Sequence, residues 1–273
     1  MVNSVKKSIL FFFILSVNLT SCENDIFGIF GADDFDARWQ ERNTFNFLND
    51  GDRNISLPDK YSFLVVNDTH IYNGNTRGIE KLKDVIDSDI KFIVFNGDIT
   101  QNGKQEDMKK FLEIVRSFNI PCYTAAGNHD VYFGNWPVWK ELIGSTAYRI
   151  NGGSADIFIL DSANAFFGKK QLDWLENELI KTQGRVFIFT HANLATVEIG
   201  RIQQLTSYRE RAKIISMLDK KCDMMFMGHI HRQFVNKINN VLYITMEDFR
   251  DSLIYCHVKV SKDNVSYDFK KLQ

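Results

Sequence analysis

Residues Lys91–Gly103 read KFIVFNGDITQNG, and the way this stretch ends decides the fold. Lys91–Phe95 is a short run of β-branched and aromatic residues, long enough for a strand and too short for a helix, and it stops at a glycine followed by an aspartate. The same grammar recurs along the chain. Runs at Tyr61–Val66, Pro121–Ala125, Asp156–Leu160, Arg185–Thr190 and Asp223–Met227 read as further strands. Between them, amphipathic segments near Thr76–Ser88, Lys104–Phe118, Gln171–Lys181 and Ser207–Asp219 read as helices. After Met227 the style changes: Gln233–Ile238, Val241–Met246, Ser252–Val260 and Val265–Lys270 follow one another across turns such as Asn239–Asn240, as hairpin-linked strands do. Early strands that alternate with helices and late strands that do not predict an α/β fold, a two-sheet β-sandwich flanked by helices.

The whole chain agrees with that class. Its 273 residues are 44% hydrophobic and 25% charged, a globular composition that excludes a disordered tail or a membrane bundle. A formal charge of −1 provides no global basic field, which argues against a nucleic-acid partner. The first residues differ from the rest: Lys6 and Lys7 precede an apolar stretch, Ile9–Leu19, that is short for a permanent span and reads as a secretory signal. The Leu19-Thr20-Ser21-Cys22 sequence resembles a bacterial lipobox, which implies a signal peptide over residues 1–21, acylation of Cys22, and a membrane-anchored extracytoplasmic lipoprotein; the competing reading is an ordinary cleaved signal with an incidental cysteine. Residues 22–58 read as a tether that docks. A helical turn over Asp36–Asn43, capped by Asp36 and turning Trp39 toward the domain, is expected there. The catalytic domain is expected over 59–273. Cys122, Cys222 and Cys256 each sit in apolar runs and read as small core residues.

Chemistry concentrates at the strand ends. Asp68 and His70 follow the first strand, Asp98 the second, Asn128, His129 and Asp130 the third, His191 the run at Arg185–Thr190, and His229 and His231 the run at Asp223–Met227. In open α/β sheets the carboxyl ends of strands face a common crevice, so these residues are expected to converge. A lone histidine in an apolar strand is usually structural, but five of the six histidines occupy these positions, and only His257 stands apart. Residues two apart just past a strand can point the same way, which pairs Asp68 with His70 and His229 with His231. Asp98, preceded by Gly97, is the candidate bridging ligand. The mixed nitrogen and oxygen donors suit Fe, Mn or Zn better than Ca or Mg.

The blocks DTH at Asp68, GD at Gly97, GNHD at Gly127, His191 and GHIH at Gly228 together resemble the calcineurin-like metallophosphoesterase superfamily. The resemblance covers roughly Tyr61–Met246. It implies a four-layer αββα sandwich and two metal ions, one held by Asp68, His70, Asp98 and His231, the other by Asp98, Asn128, His191 and His229. It further implies that His129 is not a ligand but sits beside the substrate phosphate. Asp130, next in sequence, reads equally as a residue that orients His129 and as a turn or capping residue. Two departures narrow the subclass: Gln101 and Asn102 stand where protein Ser/Thr phosphatases have Asp and Arg, and Gln101 stands where purple acid phosphatases have a tyrosinate. The GDITQNG block and Leu160–Leu179 are similar to class III cyclic-nucleotide phosphodiesterases, although His191 is followed by Ala192 and Asn193 rather than His-Pro.

The expected activity is hydrolysis of phosphate esters, diesters before monoesters, by metal-activated water. Expected substrates are small-molecule, lipid or glycan phosphoesters met outside the cytoplasm. Two other classes compete: a non-catalytic surface lipoprotein that keeps the fold for binding, which predicts eroded ligands, and a metal-dependent nuclease, which predicts a basic stripe. Tyr132, Trp136 and Trp139 read as packing residues before a wall that stacks on a base or sugar, and Arg201, Arg209 and Arg250 read as solvated surface residues before phosphate clamps.

Overall fold

Burial runs without a break along the central strands, because both faces of each parallel segment are covered. The structure, a computed structural model, describes residues 35–43, 53–132, 134–194, 205 and 207–273. The described strands are β1 (Tyr61–Val66), β2 (Ile90–Asn96), β3 (Cys122–Ala125), β4 (Tyr148–Asn151), β5 (Ala155–Leu160), β6 (Arg185–Thr190), β7 (Met224–Met227), β8 (Phe234–Ile238), β9 (Val241–Thr245), β10 (Ile254–Val260) and β11 (Val265–Lys271). They form a five-stranded sheet in the order β11-β10-β1-β2-β3 and a six-stranded sheet in the order β4-β5-β6-β7-β9-β8. In the first, β1, β2 and β3 are parallel while β10 and β11 run antiparallel to their neighbours. In the second, β5, β6, β7 and β9 are parallel, and β4 and β8 close the edges antiparallel.

The helices are α1 (Phe35–Gln40), α2 (Gln105–Arg116), α3 (Asn128–Val131), α4 (Trp136–Leu142), α5 (Lys169–Leu179), α6 (Tyr208–Leu218) and α7 (Phe249–Ser252). Phe63, Phe92, Phe187, Phe189 and Phe226 fill the space between the sheets, with Phe63 stacked on Phe92 at 4.7 Å and edge-on to Phe187 at 5.0 Å. Outside the five-stranded sheet, Phe111 of α2 and Trp139 of α4 share a core with Phe95. Outside the six-stranded sheet, Leu175 of α5 and Ile214 of α6 pack with Phe158 and Ile188. The result is the expected two-sheet sandwich flanked by helices.

The differences from expectation have local causes. Residues Thr76–Ser88 do not form an α-helix; a 3₁₀ helix spans Ile79–Val85, entered from Gly78 at φ 84°. Its apolar residues fall at 79, 82 and 85, and a period of three suits 3.0 residues per turn. The strand β4 escaped the sequence reading because four residues that alternate in burial leave little pattern. Asp36 is not a cap: it lies inside the first turn of α1 and faces Lys170 at 3.6 Å.

The docking of the N-terminal segment is visible in its described part. Phe35, Arg38 and Trp39 are buried, and Trp39 meets Trp174 edge-on at 5.8 Å. Trp136 Nε1 donates to Glu41 at 2.8 Å, and Arg53 donates to Ser145 Oγ at 2.8 Å. Residues 35–43 and 53–58 thus pack with the domain. The segment read as a signal, the lipobox-like sequence, Cys22 and residues 44–52 lie outside the described residues. Cys122, Cys222 and Cys256 are free and buried, as core residues. Among the described residues no helix is long and apolar enough to cross a membrane. Because Trp39 is 7% exposed, Trp39→Ala should lower stability by about 3 kcal/mol in urea unfolding. A loss below about 0.5 kcal/mol, the range of a surface substitution, would contradict docking.

Candidate metal centre and active site

Five strands of the two sheets deliver side chains to one point. Asp68 and His70 follow β1, Asp98 follows β2, Asn128 and His129 open α3 just beyond β3, His191 follows β6, and His229 and His231 follow β7. Asp68 Oδ1 lies 3.5 Å from His231 Nε2, 3.7 Å from His70 Nε2 and 3.9 Å from His191 Nε2. Asp98 Oδ2 lies 3.1 Å from His191 Nε2 and 3.9 Å from His70 Nε2. Three sets of possible ligand atoms are each within 4.8 Å of one another: Asp68, His70 and His231; His70, Asp98 and His129; Asp98, His191 and His229. Asn128 is buried one residue ahead of His129.

The backbone here is held in a costly conformation. Twelve described non-glycine residues have positive φ, and five of them are Asp68, His70, Asp98, His229 and His231, at 51°, 45°, 47°, 73° and 51°. Each costs of order 1 kcal/mol, and such strain persists where surrounding structure enforces it for a purpose. Two glycines make the close approach feasible. A Cβ on Gly127 would collide with the Asp98 carboxylate and backbone, and one on Gly97 (φ 93°) would overlap the His191 ring.

Hydrogen bonds orient each donor. Asp98 Oδ1 accepts from His129 N at 2.9 Å, and Asp68 Oδ2 accepts from His229 N at 3.2 Å and from Asn67 Nδ2. One oxygen of each carboxylate is therefore fixed by the protein while the other faces the imidazoles. His191 Nδ1 lies 3.2 Å from Asn96 O, and His129 Nδ1 lies 2.7 Å from Gln101 O. A carbonyl can only accept, so in both rings Nδ1 carries hydrogen and Nε2 is left for the cluster. Asp68 Oδ1, Asp98 Oδ2 and His191 Nε2 are buried without a hydrogen-bond partner, which is costly unless a cation completes them. The 3.3 Å between His70 Nε2 and His231 Nε2 fits two imidazoles on one ion at about 2.1 Å each. By donor chemistry and spacing, these residues fit divalent transition-metal ions.

A family model for calcineurin-like phosphoesterases matches residues 61–233. The chain belongs to the calcineurin-like phosphoesterase family. It is 25% identical over 168 residues to a probable cyclic nucleotide phosphodiesterase of Fibrobacter succinogenes, covering 58% of this chain and 64% of the relative. It is 29% identical over 170 residues to a probable glycerophosphodiester phosphodiesterase of Arcobacter nitrofigilis, covering 56% and 61%. The chain thus spans just under two thirds of the length of these curated relatives. Among solved structures, a dimetal phosphatase from Danio rerio superposes with a TM-score of 0.63 at 15% identity, over 77% of this chain and 96% of that one. The yellow lupin purple acid phosphatase gives 0.65 at 13% identity, over 80% and 52%. At that identity both likenesses establish the fold alone.

Within this calcineurin-like phosphoesterase, several expected roles are redistributed. Asp130 does not orient the His129 ring: its carboxylate accepts from Ile99 N, Thr100 N, Thr100 Oγ1 and Gly127 N, tying the turn after β3 to the turn after β2. Orientation falls to the Gln101 carbonyl, which side-chain motifs do not reveal. Asn67 and Asn96, the residues just before the Asp68 and Gly97 turns, were also missed; their only sequence signal is an amide at a strand end. Just past His191, Ala192 N donates to Ser162 Oγ at 2.8 Å and Asn193 Nδ2 donates to Thr245 Oγ1 at 2.6 Å. Arg250 N holds the Asp68 carbonyl at 3.2 Å, but its guanidinium is engaged by Asp251 at 2.9 Å and Asp248 at 3.7 Å. Arg209 is exposed on α6, and Arg201 lies outside the described residues. Tyr132, Trp136 and Trp139 are packing residues, as expected. His257 lies on β10, 3.0 Å from Lys270 Nζ and outside the cluster.

The cluster's electrostatics set its pH behaviour. Burial opposes charge on His191 and His231, but Asp98 and Asp68 lift His191 to about 10, and chiefly Asp68 lifts His231 to about 8. Burial likewise opposes charge on Asp68 and Asp98, yet the imidazoles hold both carboxyls below their ordinary range. Both histidines sit above their ordinary 6.5, so in the metal-free protein their stabilising contribution is full below about pH 6.5 and fades as pH rises through 8 and then 10. Metal competes with those protons, so its affinity should rise over the same interval. Calorimetric titration at pH 7 with Mn or Zn, in buffers of different ionisation enthalpy, should report release of about one to two protons per chain. Uptake without proton release would contradict the ligand role of these two histidines.

Proposed function

We propose that this protein is an extracytoplasmic, membrane-anchored phosphodiesterase with two metal ions at the strand-end cluster. The observation that carries the reading is the pair of buried carboxylate oxygens, Asp68 Oδ1 and Asp98 Oδ2, left without hydrogen bonds among converging imidazoles. One ion would be held by Asp68, His70, Asp98 and His231, the other by Asp98, Asn128, His191 and His229, with Asp98 common to both. Support comes from the separate clustering of Asp68 with His70 and His231, and of Asp98 with His191 and His229. When bound, such ions would supply Lewis acidity toward phosphoryl oxygens and lower the pKa of a coordinated water. The chain's own residues hold and align these donors. His129, its Nδ1 held by Gln101 O, would turn Nε2 toward the phosphoryl group, where the ring in its imidazolium form would stabilise developing charge or protonate the leaving oxygen. Asp130 serves as the brace that keeps the His129 turn against Ile99 and Thr100.

The substrate class rests on the relatives, which are named for cyclic nucleotide and glycerophosphodiester hydrolysis. The signal-like segment and Cys22 favour phosphodiesters met outside the cytoplasm, among them lipid headgroup and glycan-linked esters. A non-catalytic binding protein has less to support it, since each position of the motif set is filled.

His129→Ala should lower turnover of a generic diester, bis(p-nitrophenyl) phosphate, by about 100-fold or more while bound metal is unchanged. Loss of metal together with activity would make His129 a ligand and break the assignment. For the anchor, Cys22→Ser should move the protein from the membrane to the soluble fraction; retention in the membrane would refute acylation at that residue.

A further inference from the structure

The N-terminal helix reaches the active site through one buried ion pair. Arg38 of α1 is fully buried, and its Nε and Nη2 donate to Asp161 Oδ2 at 2.7 Å and Oδ1 at 3.0 Å. Nη2 also donates to Asn164 Oδ1 at 2.5 Å. Asp161 is the first residue past β5, in the Asp161–Ala165 turn, and it is 1% exposed. Gln171 clamps its backbone from α5: Asp161 N donates to Gln171 Oε1 at 2.9 Å, and Gln171 Nε2 donates to Asp161 O at 2.8 Å.

From this turn three contacts run to two parts of the candidate centre. Ser162 Oγ accepts from Ala192 N at 2.8 Å and from the Thr190 hydroxyl at 2.7 Å, so it holds the residues on both sides of His191. The Ala163 carbonyl accepts from Tyr132 OH at 2.7 Å, and Tyr132 closes α3, the turn that carries Asn128 and His129. The turn itself is held rigid because Asp161 Oδ1 also accepts from Ala163 N at 3.1 Å. Docking α1 does not require a buried charge, since Phe35 and Trp39 already pack against Ala147, Phe166 and Trp174. A planar two-point guanidinium–carboxylate contact instead fixes direction and distance, which apolar packing does not.

We propose that Arg38 is a positioning residue: through Asp161 it sets the placement of His191 relative to the His129 turn, so that the segment preceding the catalytic domain forms part of the active site's support. The inference rests on the roles assigned above to His191 and His129. Arg38→Met removes the pair, Arg38→Lys keeps a charge without the two-point geometry, and Trp39→Phe perturbs the same helix while keeping the pair. For each, the melting temperature, the Mn affinity by titration, and kcat and KM for bis(p-nitrophenyl) phosphate are measured. Arg38→Met should weaken Mn affinity or lower kcat by about 10-fold or more, with KM within about twofold of the wild type, and Arg38→Lys should recover part of the loss. Trp39→Phe should retain wild-type kcat and affinity whatever its melting temperature. If Arg38→Met fails to fold, Asp161→Asn takes its place with the same expectation. Wild-type kcat and Mn affinity in the Arg38 or Asp161 variant would overturn the proposal, as would an equal loss in Trp39→Phe at equal melting temperature. A wild-type protein that binds Mn but leaves the diester intact would count against the phosphodiesterase reading, while the Mn affinities would still decide the role of Arg38.

Discussion

Two aspartates, Asp68 and Asp98, lie at most 1% exposed with one oxygen each turned toward imidazole nitrogens. Burying a carboxylate carries a penalty of several kcal/mol unless opposite charge and hydrogen bonds offset it. The fold is arranged around that requirement. Backbone amides of His129 and His229 bind the outer oxygens, and His70, His191 and His231 surround the inner ones. Remove a cation from such a site and protons take its place, which is why His191 and His231 hold theirs so far above the ordinary range.

The two sheets are what make this concentration of charge attainable. Parallel strands point their carboxyl ends the same way, and a sandwich brings the ends of β1, β2 and β3 against those of β6 and β7. The dense aromatic core around Phe63 fixes the separation of the sheets, so side chains entering from either side meet within hydrogen-bond range. Left-handed backbone at five candidate ligand positions is then tolerated because neighbouring turns are braced, the Asp130 carboxylate linking two of them. The Arg38–Asp161 pair extends the same bracing outward, from the candidate metal centre through the turn after β5 to a helix that precedes the domain.

Much of this was legible in the sequence because strand-end chemistry is local. An apolar run that stops at Gly97-Asp98 or Gly228-His229 declares both the strand and its functional end. The two-sheet sandwich flanked by helices followed from the switch between helix-linked and hairpin-linked strands. What stayed hidden was contact across long separations. Nothing near Arg38 indicates a partner at Asp161, 123 positions away. The role of the Gln101 carbonyl was equally silent, because a backbone acceptor has no residue type. Asp130 was ambiguous for the opposite reason: adjacency to His129 suggested a contact while its residue type suited a turn or cap, and the short helix turns its carboxylate back to Ile99 and Thr100. The 3₁₀ helix at Ile79–Val85 was read as α because seven residues scarcely separate a period of three from one of 3.6.

The central claim is that Asp98 is shared by two ions. Crystals of protein loaded with Mn or Zn, measured at the absorption edge of that metal, test it directly. The account predicts two anomalous peaks about 4 Å apart on either side of the Asp98 carboxylate. A single peak, or two peaks of which only one contacts Asp98, would contradict it.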